Sequence, residues 1–366
     1  MIKKAYQASK KAALDYHQFP KPGKLEIRAT KPLANQRDLA LAYSPGVAEA
    51  SIAISKNPGN AALYTSKSNL VAVVSNGSAV LGLGNIGALA AKPVMEGKAV
   101  LFKQFANIDC FDIEVNETDP HRLASIISAL EPTFGAVNLE DIKAPECFLV
   151  EKLCQEKMNI PVFHDDQHGT AIVVAAAAIN ALKINKKEIG NIKVVASGGG
   201  AAGIACLNML VKLGCKRENI WLCDVNGLIT KSSKEVNTEQ AGFAQKSEPK
   251  KLSECIKKAD LFLGVSVPDV LTKDMILQMN SKPIILALAN PNPEILPEEV
   301  RAVSADAIIA TGRSDYPNQV NNVLCFPFIF RGAIDVGATS INDEMKKACV
   351  YAIAELARKH SAAETA

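Results

Sequence analysis

Ile192-Lys193-Val194-Val195-Ala196-Ser197-Gly198-Gly199-Gly200-Ala201-Ala202-Gly203 reads as a buried parallel strand that runs directly into a GxGxxG turn. An apolar helix follows from Ile204 to Leu213 and stops at Gly214, and Asn219-Ile220-Trp221-Leu222-Cys223-Asp224 reads as the next strand with an acid at its end. This is a complete βαβ unit with the chemistry of a dinucleotide site. Its glycines let the backbone approach a pyrophosphate, the helix start offers unpaired N–H groups, and Asp224 can accept hydrogen bonds from ribose hydroxyls. Gly198, Gly200, Ala201, Ala202, Gly203 and Asp224 are therefore the candidate cofactor-binding residues. A second formal GxGxxG, Gly82-Leu83-Gly84-Asn85-Ile86-Gly87, follows the turn Asn76-Gly77-Ser78 and only a short apolar stretch, so it reads as a tight turn against a helix.

Downstream the alternation continues through apolar strands at Leu261 to Val265, Ile284 to Ala289 and Ala307 to Ala310, the pattern of a doubly wound sheet. Such sheets gather ligands at the carboxyl ends of their strands, here near Ser266, Asn290-Pro291-Asn292-Pro293 and Thr311-Gly312-Arg313. Asn342 to Lys359 has the spacing of an amphipathic helix. Upstream, Leu70 to Val74 is a β-branched run that predicts a buried strand, and Asp38 to Gly46 ends an apolar segment in a turn that presents Tyr43 at an edge. Residues 1 to 30 hold a basic helical stretch broken by Phe19-Pro20-Lys21-Pro22-Gly23-Lys24, which predicts an arm.

The 366 residues exceed one comfortable core and predict two α/β domains. With 48% hydrophobic and 22% charged residues and a net charge of +3, the chain reads as a soluble globular protein, too weakly basic for nucleic acid but compatible with a small anion. Nine cysteines without a CxxC pair argue against a disulfide framework or structural zinc and fit a reducing, cytoplasmic setting. The longest apolar run, around Ala171 to Ala178, is too short to cross a bilayer, and Met1 to Lys11 lacks a signal-peptide core.

Phe163-His164-Asp165-Asp166-Gln167-His168-Gly169-Thr170 crowds two carboxylates and two imidazoles at the mouth of an Ala-rich helix. It reads as a divalent-metal site or as an acidic helix start, since Asp165, Asp166 and Thr170 would each favour a helix N-terminus. A zinc site on His164 and His168 is a further reading, although no Glu lies between them as a general base.

Taken together, Leu41 to Ala48 (LAYSPGVA), Pro93 to Val100 (PVMEGKAV), Asn138-Leu139-Glu140-Asp141-Ile142, His164 to Thr170, Gly198 to Gly203, Ala287 to Pro291 (ALANP) and Gln319 to Asn322 (QVNN) resemble the malic enzyme family, most of all the bacterial form that occurs alone or fused to a phosphate acetyltransferase-like domain. The resemblance spans nearly the whole chain in the family's order. It implies oxidative decarboxylation of L-malate to pyruvate and CO2 with NADP or NAD and with Mg2+ or Mn2+. It also implies a substrate and metal domain over 1–163, a Rossmann-type domain over 164–366, and a homodimer or higher homo-oligomer. By motif, Glu140, Asp141 and Asp166 are the implied metal ligands, and Lys98 and Tyr43 the implied catalytic base and acid, with Asp165 beside Lys98. Asn290, Asn321 and Asn322 are implied at the substrate, Asn290 also at the cofactor.

That chemistry asks for these residue types. A hard divalent cation takes carboxylate oxygens, and a lysine with its pKa lowered by burial near it could accept a hydroxyl proton. Two departures from the resemblance stand out. Ser78-Ala79-Val80 occupy the stretch where animal-type relatives carry a carboxylate-binding arginine, and the chain stops soon after Arg358 where relatives continue, which suggests a truncated product or domain. A non-catalytic nucleotide-sensing remnant is the rival from another class.

Overall fold

The computed structural model describes residues 2–80 and 82–360; Met1, Leu81 and residues 361–366 lie outside the described residues, and with Met1 the first position of the basic amino-terminal stretch. Two sheets organise the chain. The first has strands β1 (Leu70–Ser75), β2 (Asp109–Glu114), β3 (Ala136–Leu139) and β4 (Val162–His164), all parallel, in the order β2-β1-β3-β4. The second has β5 (Val194–Ser197), β6 (Ile220–Asp224), β7 (Gly227–Leu228), β8 (Leu261–Gly264), β9 (Ile284–Ala287) and β10 (Ile308–Thr311), in the order β10-β9-β8-β5-β6-β7. Only β7 is antiparallel, closing a hairpin on β6.

Parallel neighbours require crossovers, so helices cover the sheet faces and their strands read as continuous apolar runs. All five strand segments expected in residues 192–310 are present, within one or two residues of their ends. In the first sheet only β1 was anticipated. The reason is visible in the residues: β2 is a polar edge strand, Asp109-Cys110-Phe111-Asp112-Ile113-Glu114, while β3 and β4 are too short to show a period.

The core lies between the sheets. Helices Ala88–Ala106, Thr170–Asn185, Ala201–Lys212 and Phe326–Asp335 contribute to one apolar cluster that joins Val71 and Val73 of β1 to Val194, Leu263 and Leu286 of the second sheet. The terminal helix Asp343–His360, close to its expected bounds, packs on Thr170–Asn185. Phe102 stacks edge-on against Phe326 and Phe330, so the helix that carries Lys98 is fixed to the segment that carries Asn321 and Asn322.

The amino-terminal region behaves differently. Helices Gln36–Ala42, Val47–Lys56 and Ala61–Tyr64 contain no buried residue, and Leu33, Leu39, Leu41, Tyr43, Val47, Ile52, Leu63 and Tyr64 are exposed. Residues 36–64, which follow the predicted arm, thus present an apolar surface without a core of their own.

Both GxGxxG segments have defined geometry. Gly198 adopts φ +112°, and a Cβ there would sit 2.5 Å from Val265 O; one on Gly203 would sit 2.0 Å from Gly198 O. A Cβ on Gly200 would meet nothing within 4 Å, so its backbone faces open space. The earlier copy forms the expected tight turn, with Val80 bridged to Gly84, and Gly82 abuts the Asn290 carbonyl of the loop after β9. These contacts set a contrast: Gly203→Ala should lower unfolding free energy by about 2–4 kcal/mol in denaturant titrations, because backbone must move to admit the methyl, whereas Gly200→Ala should leave it unchanged.

Candidate active site

Strand β3 leads directly into Glu140 and Asp141, and β4 beside it ends in His164, just before Asp165 and Asp166, so parallel pairing delivers both acidic segments to one end of the first sheet. Asp141 holds a left-handed backbone (φ +53°) and its N–H donates to Asp166 Oδ2 at 2.7 Å, which locks the two acids together. Residues Asp165–Gly169 form a wide π-type turn before the Thr170–Asn185 helix. Gly169 leaves room for the Asp165 carboxylate, since a Cβ there would sit 1.8 Å from Asp165 Oδ1 and displace it. Both acids do lie in the first turn of this segment, as the acidic helix-start reading expects, but neither side chain caps it: Asp165 bonds Lys98, while Asp166 accepts from Asp141 N and lines the cavity.

Lys98, on the facing helix, completes the group. Its Nζ lies 2.5 Å from Asp165 Oδ2 and 3.0 Å from Glu140 Oε1, and stands 4.4 Å above the Phe326 ring. Asn322 Nδ2 donates to the same Asp165 oxygen at 2.6 Å, while Asn138 Nδ2 donates to Glu140 Oε1 at 2.8 Å. Burial works against the Lys98 charge, yet the Asp165, Glu140 and Asp166 carboxylates outweigh it and hold the ammonium above its ordinary pKa. The lowering expected from burial applies to a lysine beside a bound cation, whose charge would offset these carboxylates. Burial likewise pushes Glu140 well above the usual carboxylate value, against the pull of Lys98.

Four carboxylates thus gather around one lysine in a largely buried place. Single oxygens of Glu140, Asp141 and Asp166 lie within 4.8 Å of one another, a hard, all-oxygen set that suits Mg2+ or Mn2+ and would relieve the excess negative charge. The zinc reading fares worse. His168 Nε2 is engaged by Glu151 at 2.9 Å, and His164, fully buried and held below its ordinary pKa by burial, lies 3.8 Å from Asp166.

A cavity of about 390 Å³ opens on this group, lined by Lys98, Glu140, Asp141, Asp166, Asn321 and Asn322 together with Tyr16 and Lys24 from the arm. Asn321 also caps the short turn that follows it, accepting from Val323 N at 2.9 Å. Two expected members lie elsewhere. Tyr43 is 71% exposed after helix Gln36–Ala42, and Asn290, exposed on the loop after β9, does not line the cavity. Sequence reading missed Tyr16 and Lys24, whose stretch signalled only a chain break. It also missed Glu151, which lacks any motif.

At the second sheet, Gly198, Gly200, Ala201, Ala202 and Gly203 form the β5-to-helix turn, and Asp224 ends β6, where its Oδ1 accepts from Asn226 N at 2.7 Å. Buried Glu294 ties two neighbouring loops at that edge, accepting from Ser266 N at 2.8 Å and Ala289 N at 3.1 Å.

The architecture defines a two-lobed α/β protein in which a dinucleotide-type turn and an acidic, metal-type cavity flank one core. Residues 167–366 match the family description "Malic enzyme, NAD binding domain" and residues 22–125 match "Malic enzyme, N-terminal domain". The chain belongs to the malic enzyme family. It is 64% identical over 350 residues to the NADP-dependent malic enzyme of Haemophilus influenzae, covering 95% of this chain and 46% of that one. It is 63% identical over 348 residues to an NAD-dependent malic enzyme of Rhizobium meliloti, covering 95% and 45%. The crystal structure of the NAD-dependent malic enzyme of Thermotoga maritima superposes with a TM-score of 0.91 at 45% identity, covering 96% of this chain and 93% of that one. The chain therefore spans a little under half the length of those two curated relatives.

Glu151 supports the acidic turn from behind, accepting from His164 N at 3.0 Å and bonding His168. Burial opposes its charge, but His168 and its hydrogen bond dominate and hold the carboxyl down to about 2. A depressed carboxyl contributes stability above its unfolded value, and that stability is lost as pH falls from about 4.5 toward 2. Glu151→Gln should therefore cost on the order of 2–3 kcal/mol at pH 7 and flatten the acid limb of a pH-denaturation profile across that window.

Proposed function

We propose that this chain catalyses the divalent-metal-dependent oxidative decarboxylation of L-malate to pyruvate and CO2, with NADP as the first-choice acceptor and NAD as the second. The observation that carries this reading is the convergence of Lys98, Glu140, Asp141, Asp166 and Asn322 on one cavity, with buried Asp165 bonded to both Lys98 and Asn322. Residues 1–163 then form the substrate and metal domain and residues 164–366 the dinucleotide domain.

Glu140, Asp141 and Asp166 hold the ion, which when bound supplies Lewis-acid polarisation of the oxygen on C2. Lys98 would accept the C2 hydroxyl proton, and a bound nicotinamide would supply the two-electron acceptor for the hydride on C2. Base work at Lys98 requires that the carboxylate field around it be neutralised, and the charge balance of the loaded site does this. Asp165, held by both Lys98 and Asn322, fixes the amine's direction. The C3–C4 bond then breaks, CO2 leaves, and the electron pair moves to the C2 oxygen. Tyr43 delivers a proton to C3 of the resulting enol. Asn290, Asn321 and Asn322 offer amide donors to the substrate, and Gly198, Gly200, Ala201, Ala202, Gly203 and Asp224 receive the dinucleotide.

Tyr43 serves this role from a second copy. The segment 36–64 that carries it presents apolar residues along helices with nothing buried, which is the surface a homodimer would cover. A reducing cytoplasm suits the chain's nine free cysteines.

Initial rates with L-malate should depend on Mn2+ or Mg2+, yield pyruvate, and run faster with NADP than with NAD; Glu140→Ala and Asp166→Ala should each lower kcat by at least about 1000-fold. An active Glu140→Ala or Asp166→Ala variant overturns the assigned site, and a chain that binds NADP without malate turnover is the nucleotide-sensing remnant. Sharing of the site has its own test. Tyr43→Phe and Lys98→Met should each be nearly inactive alone, while co-refolded mixtures should recover up to about a quarter of wild-type activity; no recovery places Tyr43 and Lys98 in the same copy's site.

A further inference from the structure

The cavity holds an unassigned cation. Two of its lining residues are basic, Lys98 and Lys24, and they differ in how their charge is used. Lys98 is committed to Asp165 and Glu140 at short distance. The Lys24 Nζ donates to the Pro93 carbonyl at 2.9 Å and has its nearest carboxylate, Glu96 Oε2, only at 4.0 Å. An ammonium has three N–H donors, so Lys24 retains unused capacity. Its side chain is 10% exposed, and burial lowers its pKa against the pull of Glu96 and Asp112. A charge that has lost most of its water in this way gains from an anionic ligand.

Its position is fixed from both ends. The Lys24 backbone N–H donates to Glu96 Oε2 at 2.9 Å, and its Cε lies 3.9 Å from where a Cβ on Gly97 would stand, one residue before Lys98. Lys24 therefore lies along the same helix as Lys98 and faces the same cavity. Arg313 is the other cation near the substrate loops, but its fork is filled by Asp315 at 2.8 and 2.5 Å and it does not line the cavity.

We propose that Lys24 is a specificity residue that binds the substrate carboxylate remote from the acidic metal-type cluster, selecting dicarboxylic over monocarboxylic 2-hydroxy acids. This rests on the malate reading above. It gives the arm a second purpose, since Gly23-Lys24 carries charge into a cavity that its carboxylates would otherwise make hostile to a dianion.

The test is steady-state kinetics of the full chain with Mn2+ and NADP, comparing wild type with Lys24→Met, Lys24→Gln and Lys24→Arg, and with Lys21→Gln as an arm control. For L-malate, Lys24→Met and Lys24→Gln should raise KM about 10- to 100-fold with kcat changed far less, the loss of one charge-assisted contact. Lys24→Arg should recover most of the affinity. The competitive inhibition constant of (S)-2-hydroxybutyrate, which has a methyl group where malate has its second carboxylate, should stay within about twofold in every variant. If Lys24 only pins the arm, malate and 2-hydroxybutyrate weaken together; that result, or an unchanged malate KM in an active Lys24→Gln enzyme, overturns the proposal and leaves the malate reading intact. A wild-type chain that does not turn over malate overturns both.

Discussion

The ion pair between Lys98 and Asp165, with Glu140 as its third member, is the constraint on which this structure turns. Taking these charges out of water is costly, and only close geometry with further hydrogen bonds offsets that cost. Each partner therefore has to arrive from a fixed element. Lys98 comes from a helix clamped by Phe102, Phe326 and Phe330; Glu140 directly follows a central strand; Asp165 comes from a turn in which Gly169 leaves its carboxylate room. Asn322 reaches the same Asp165 oxygen from the segment after the second sheet. The pair is thus a joint between the lobes as well as a piece of chemistry.

The excess of acid around Lys98 explains the apparent conflict between its raised pKa and the work proposed for it. The amine is strongly protonated because Asp165, Glu140 and Asp166 surround it. Two of those carboxylates, Glu140 and Asp166, belong to the set a divalent cation would bind, so loading the site would weaken the field that holds the proton. A charge-poor cavity could not couple the two events.

The dinucleotide lobe was legible because backbone constraints write themselves into sequence. Gly198 and Gly203 are glycine because neighbouring backbone leaves no room for a Cβ, and the apolar runs around them are those of strands buried on both faces. The first sheet was less legible. Its β2 is a polar edge, and β3 and β4 owe their strand form to pairing with a central strand rather than to any local period.

Sequence by itself determined the βαβ unit, the family and the residue types of the acidic site, because each rests on local spacing or on motifs in a fixed order. Tertiary structure alone decided which of those residues meet. It turned Asp165 toward Lys98 rather than toward a helix start, and it gave His168 to Glu151. It brought Lys24 and Tyr16 into the cavity while leaving Tyr43 outside it. The physical reason is that a side chain's partner in a buried site is set by the crossing of distant elements, and that crossing leaves no signature in the residues on either side of it.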